Sequence, residues 1–208
     1  MSKSRGMVYV VDDDTSICRA LSLLLTSCDF TVAAFSRAED FMSARHANIP
    51  SCLVLDVNLP GLNGIALQEM MARQGLQIPI IFVTACGNIP MSVKAMKEGA
   101  VDFLPKPFVD TELISAIERA VEKNKLQHVD SAELAEIQRR IKTLSPREYE
   151  VFCFVAAGML NKQIAFKRGT SLQTIKVHRG RVMQKMQAVT VTELIDLARK
   201  AGIAIPLV

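Results

Sequence analysis

Val8-Tyr9-Val10-Val11-Asp12-Asp13-Asp14 is a short apolar run that stops on carboxylates, and three later stretches repeat the arrangement. Leu53-Val54-Leu55 runs into Asp56, Ile80-Ile81-Phe82-Val83 into Thr84, and Asp102-Phe103-Leu104-Pro105 into Lys106. Short β-branched-rich runs bounded by turn residues read as fully buried strands, and amphipathic stretches lie between them. That alternation means a parallel sheet, in which ligands bind at the carboxyl ends of the strands. Asp12, Asp13, Asp56, Thr84 and Lys106, far apart in sequence, are thereby expected in one crevice.

Working outward, the pattern predicts strands over 7–11, 31–35, 53–56, 80–84 and 102–105. Helices are expected over 15–27, from Ser36, from near Gly64, over 90–98, and from Asp110 as N-cap. These are five βα units. From Glu112 to Lys142 the composition turns polar and helix-forming, with no Pro or Gly after Pro107. A first domain over 1–126 therefore runs into a helical linker over 127–141, nicked near 128–130. Ser145-Pro146-Arg147-Glu148 is a capping box with Pro at the first helical position, which opens a second domain over 142–208. Four helices are expected there, over 146–157, 161–167, 171–186 and 191–201, with turns at Gly158 and Gly169. Two short helices around a Gly-containing turn are a helix-turn-helix candidate.

Charge divides the same way. Residues 1–125 carry 12 Lys/Arg against 14 Asp/Glu, whereas 126–208 carry 13 against 7. Between Met159 and Val189 there are seven basic residues and no acidic one, a composition that suits a polyanion partner. No apolar stretch approaches the roughly 18–20 residues of a membrane span, and Met1-Ser2-Lys3-Ser4-Arg5 leads into a strand instead of a signal-peptide core. A cytoplasmic protein without a membrane partner is expected. Five cysteines with no CxxC, and three histidines without ligand spacing to them, indicate neither disulfides nor zinc. Cys86 reads as a small buried thiol.

The crevice has a definite chemistry. Clustered carboxylates repel one another unless a divalent cation sits among them, and an all-oxygen set suits Mg²⁺, with Asp13 and Asp56 as ligands. One carboxylate can then attack phosphorus while oxygens are neutralised around it. Thr84 can donate to a phosphoryl oxygen and Lys106 can pair with the anion, so the set suits an aspartyl-phosphate. Asp14 is expected to be exposed and dispensable.

In the helix predicted over 171–186, Leu172, Ile175, Arg179, Val182, Met183 and Met186 share a mainly apolar face, and Gln173, Lys176, Val177, Gly180 and Gln184 share another. The second stripe could enter a major groove: Lys176 can donate to guanine, Val177 can touch a thymine methyl, and Gly180 allows close approach. Thr174, His178, Arg179 and Arg181 flank it as phosphate contacts, and Lys162 belongs to the same basic run.

Val-Asp12-Asp13, Leu-Asp56 followed by Asn58-Leu59-Pro60-Gly61, Val83-Thr84-Ala85 and Lys106-Pro107-Phe108 resemble the receiver domain of bacterial two-component response regulators over about residues 6–126. The resemblance implies a flavodoxin-like, doubly wound, five-stranded parallel sheet with Asp56 as phosphoacceptor. It further implies Mg²⁺ on Asp12, Asp13, Asp56 and the backbone carbonyl of Asn58, a cis peptide after Lys106, and Phe103 as an aromatic switch responding to Thr84. Leu144-Ser145-Pro146-Arg147-Glu148, Gly158, Asn161-Lys162-Gln163-Ile164-Ala165 and Thr174-Ile175-Lys176-Val177-His178-Arg179 resemble the LuxR-type DNA-binding domain. It departs from that pattern at Phe166-Lys167-Arg168, Thr170 and Gly180.

Together the halves resemble a FixJ/NarL-type transcriptional regulator. That implies a sensor histidine kinase as phosphodonor, double-stranded promoter DNA as target, homodimerisation on phosphorylation, and no turnover of a substrate. Two other readings stand beside it. One is a phosphate-independent DNA-binding regulator with an idle receiver. The other is a haloacid-dehalogenase-like phosphatase with Asp12 as nucleophile, which would leave Asp56 and Pro60-Gly61 unexplained.

Overall fold

Period-two alternation in β1 (Met7–Val11) sends Val8 and Val10 to one side of a sheet and Tyr9 and Val11 to the other, so both faces must be covered. In the computed structural model, which describes residues 4–85 and 89–203, helices cover both. Cys86, read above as a buried thiol, lies outside the described residues. The chain divides into two units, Met1–His128 and Val129–Val208.

The first unit continues through α1 (Thr15–Ser27), β2 (Thr31–Phe35), α2 (Ala38–Ser43), β3 (Ser51–Asp56), α3 (Gly64–Arg73), β4 (Ile80–Thr84), α4 (Ile89–Lys97), β5 (Asp102–Pro105) and α5 (Asp110–Lys142). All strand pairs are parallel, in the order β2-β1-β3-β4-β5. That is the flavodoxin-like, doubly wound order, whose switch point lies between β1 and β3. On one face Val54, Ile81 and Val83 pack against Leu21 and Leu25 of α1 and Leu113 and Ile117 of α5. On the other, Leu53, Leu55 and Phe82 meet Phe41, Leu67, Met71 and Ala95 of α2, α3 and α4.

Four local expectations are corrected. Strand β3 starts at Ser51, not 53, because the buried Asn124 of α5 accepts hydrogen bonds from the Ser51 amide at 2.9 Å and its hydroxyl at 3.4 Å. Helix α2 opens at Ala38, not Ser36; Arg37 is extended and caps without a side-chain bond. Asp110 is the first helical residue, not the cap: Val109 supplies the carbonyl that takes the Glu112 and Leu113 amides. The expected nick near 128–130 is absent, since α5 runs unbroken from Asp110 to Lys142 through a segment without Pro or Gly.

The second unit contains the end of α5, then α6 (Pro146–Ala156), α7 (Asn161–Arg168), α8 (Leu172–Met186) and α9 (Val191–Lys200). Ile137, Phe152, Ile164, Ile175, Val182, Met186 and Leu194 form its core. Gly169 closes α7 at φ 59° and ψ 38°, a left-handed conformation that glycine adopts without penalty. The box at the start of α6 is complete: Ser145 Oγ accepts the Glu148 amide at 3.3 Å, and Glu148 Oε2 accepts the Ser145 amide at 2.9 Å.

Glu148 Oε2 also takes the Lys185 ammonium at 2.6 Å, tying α6 to α8. The Lys185 hydrogen bond, followed by the Ser145 amide, holds the Glu148 carboxyl down at about 2, against an ordinary 4.5. Its folded value lies below its unfolded one, so the stabilisation is complete above about 4.5 and is lost as pH falls toward 2. Glu148→Gln is expected to lower stability at pH 7 by about 2 kcal/mol. Denaturant unfolding at pH 7 and near pH 2 checks this: the gap between variant and parent should close on acidification.

Candidate functional site

Sheet register assembles the crevice. Val11 of β1 lies beside Leu55 of β3, so Asp12 and Asp56 leave the sheet together. Asp56 pairs with Val83, which puts Thr84 one residue beyond, and Thr84 pairs with Pro105, which puts Lys106 next in line. Asp12, Asp56 and Thr84 are buried while Asp13 is exposed, and one carboxylate oxygen from each of the three aspartates lies within 4.8 Å of the others. Lys106 Nζ stands 2.6 Å from Asp12 Oδ2 and 3.5 Å from Asp56 Oδ1.

Burial pushes the Asp56 carboxyl above its ordinary value, and the Lys106 charge only partly counters it. Burial pulls the Lys106 ammonium down, but its hydrogen bond to Asp12 and the charges of Asp12 and Asp56 outweigh that and raise it. Asp56 Oδ1 is buried and, apart from the Lys106 ammonium at 3.5 Å, has no hydrogen-bond partner among the described residues. An all-oxygen set with an unsatisfied buried oxygen has the chemistry of a hard-cation site.

Several contributions were not visible in sequence. The Asn58 side chain donates to the Thr84 hydroxyl at 3.1 Å, a role beyond the backbone carbonyl expected of it. Asp14 is exposed as expected, and its Oδ1 caps α1, accepting the amides of Ser16 at 2.8 Å and Ile17 at 3.4 Å. A Cβ on Gly64 would lie 2.5 Å from the Asp56 carbonyl oxygen, so only glycine lets α3 begin this close to the site. Phe103 is half-buried with its ring 6.0 Å from Phe82, and the Lys106–Pro107 peptide is cis.

In the second unit, Ser171 caps α8, and Gln173, Lys176, Val177, Gly180 and Gln184 all lie exposed along it, with Ile175, Val182 and Met186 buried behind. A Cβ at Gly180 would meet nothing within 4 Å among the described residues. Thr174 and Arg181 are exposed beside this stripe, as is Lys162 in the first turn of α7. His178 and Arg179 are half-buried, and Arg179 donates to Asn161 Oδ1 at 2.7 Å. Not every cation of the basic run faces outward: Lys185 is spent on Glu148, and Arg168 on Glu150 at 2.6 Å.

A five-stranded receiver-type sheet with an acidic strand-end crevice, followed by a helix-turn-helix unit, defines a class of phosphorylation-type signalling proteins with a DNA-binding output. Residues 8–118 match the response regulator receiver domain and residues 142–198 the luxR family of bacterial regulatory proteins. The chain belongs to the response regulators, with a receiver and a LuxR-type DNA-binding domain that make it a transcriptional regulator of the FixJ/NarL type. It is 43% identical over 203 residues to nodulation protein W of Bradyrhizobium diazoefficiens, covering 98% of this chain and 89% of that one. With the transcriptional regulatory protein FixJ of the same organism it shares 42% over 199 residues, covering 96% and 97%. A low-resolution structure of the response regulator StyR superposes with a TM-score of 0.83 at 40% identity, over 94% of this chain and 98% of that one. The haloacid-dehalogenase-like alternative falls with this assignment.

Because α3 starts in contact with the Asp56 backbone, Gly64→Ala is expected to destabilise the first unit by about 1–3 kcal/mol, the usual effect of overpacking. Urea unfolding of parent and variant measures it.

Proposed function

We propose that a sensor histidine kinase phosphorylates Asp56, and that the phosphorylated chain dimerises and binds promoter DNA through α8 in the bacterial cytoplasm. The observation that carries this reading is the buried Asp56 carboxylate beside Asp12 and Asp13, whose Oδ1 faces the Lys106 ammonium at 3.5 Å and has no hydrogen-bond partner among the described residues. An Asp56 oxygen attacks phosphorus, the O–P bond forms, and the N–P bond to the kinase histidine breaks, leaving its imidazole. Asp12, Asp13, Asp56 and the Asn58 carbonyl fit Mg²⁺, which when bound neutralises carboxylate and phosphoryl oxygens.

Lys106, within 3.5 Å of Asp56, is placed to pair with the new anion. Thr84, whose hydroxyl accepts from Asn58, turns to donate to a phosphoryl oxygen, and Phe103 follows it inward. The chain thus accepts a phosphoryl group instead of turning over a substrate. Dimerisation is supported by Ile89, Val93 and Met96, exposed at i, i+4 and i+7 on α4, an apolar stripe that a second copy would cover. Two DNA-binding units on paired half-sites bind at a higher effective concentration than one.

On the DNA, Lys176, Val177 and Gly180 read bases, while Thr174, His178, Arg179, Arg181 and Lys162 hold the backbone. Their supporting observation is the exposure of Thr174, Lys176, Val177, Gly180, Arg181 and Lys162, with His178 and Arg179 half-buried beside them. Asp56→Asn should take up no phosphoryl group from acetyl phosphate with Mg²⁺ and should not dimerise in response to it. Intact-protein mass spectrometry and sedimentation read these out, and labelling of the variant equal to the parent would overturn the assignment. Lys176→Ala should relax base preference, whereas Arg181→Ala should weaken all sequences alike. Selection and sequencing of bound fragments distinguishes them, and an unchanged preference in the Lys176 variant contradicts its role.

A further inference from the structure

Beside α8 the second unit holds a cavity of about 460 Å³, walled by the first turns of α6, the α7–α8 turn and the flank of α8. Besides Glu150 and Lys167, its polar groups are of two kinds. Thr170, Thr174 and His178 present two hydroxyls and an imidazole whose Nδ1 is buried with no hydrogen-bond partner among the described residues. Arg147 and Arg168 present guanidinium groups, and both converge on a single carboxylate oxygen, Glu150 Oε2, at 3.2 Å and 2.6 Å. Glu150 sits in the cavity as an anion clasped by two arginines, which is the arrangement of donors that a phosphodiester also requires.

We infer that this cavity seats one backbone phosphate of bound DNA and that Glu150 is its internal competitor, holding Arg147 and Arg168 in place and lowering affinity for DNA of any sequence. The inference rests on the DNA-binding reading of α8 and deepens it. Thr174 lies one turn before His178 on the flank of the exposed stripe, so a strand passing along that flank meets the cavity as α8 enters the groove. The phosphate, carrying the same single charge as Glu150, takes the two guanidinium groups, while Thr170, Thr174 and His178 supply hydrogen bonds that the carboxylate does not use. Arg147 is mostly exposed and free to turn from one anion to the other. Neutralising Glu150 removes both the competition and the repulsion between carboxylate and phosphate.

The test uses the full chain and a random-sequence DNA duplex, with affinity measured by fluorescence anisotropy between about 50 and about 200 mM KCl. Glu150→Gln should bind the duplex several-fold more tightly than the parent, with a log–log salt slope steeper by up to about 0.9, one phosphate's share. Arg147→Ala, at an exposed position that cannot unfold the unit, should bind about threefold more weakly at the low-salt end, with a correspondingly shallower slope. If the parent binds DNA with a salt-dependent affinity and both variants match it, the phosphate seat is wrong and the DNA-binding reading stands. If the parent shows no affinity for duplex DNA with or without acetyl phosphate, both fail.

Discussion

Among the described residues a single ammonium, paired with Asp12 and Asp56, faces three clustered carboxylates at the carboxyl edge of the sheet, and the first unit is organised around that imbalance. Asp12 and Asp56 are almost fully buried, and an isolated carboxylate there would cost several kcal/mol of lost hydration. Lys106 meets part of that demand, reaching Asp12 at 2.6 Å and Asp56 only at 3.5 Å. The remaining negative charge is what a divalent cation would neutralise. The parallel sheet is a precondition for it, because only parallel strands deliver the ends of β1, β3, β4 and β5 to the same edge.

In the second unit the same electrostatic sorting occurs with signs reversed. Cations along the α6–α8 side are divided between those paired inside the fold and those left exposed. Lys185 ties α8 to α6 through Glu148, Arg168 is held by Glu150, and Arg179 is turned to Asn161. Lys176, Arg181 and Lys162 remain exposed. Paired and exposed cations thus alternate within one basic run, with the Lys185–Glu148 pair tying α8 to α6. Counting charges along the chain cannot make that distinction.

Much of the architecture was legible because it follows from local chemistry. Four polar strand endings, a Ser-Pro-Arg-Glu box and a glycine at the α7–α8 turn specify buried strands, a helix start and a left-handed turn whatever surrounds them. The misses share a cause. Ser51 enters β3 because Asn124, 73 residues away, satisfies its amide, and α5 ignores its polar middle because nothing in it breaks a helix. Nor does the run of three aspartates reveal that the side chain of Asp14 caps α1 by accepting the Ser16 and Ile17 amides.

The sequence by itself determined the parallel α/β sheet, the helix-turn-helix unit and the polar strand endings that meet at one edge of the sheet, since hydrophobic period, caps and turn residues act over a few positions. Only the tertiary structure decided how those residues are partnered: Asn58 on Thr84, Lys106 nearer Asp12 than Asp56, Gly64 against the Asp56 backbone, and Glu150 between two arginines. Charge pairing and close packing depend on distances of a few ångströms between distant parts of the chain, and no local pattern in the sequence encodes them.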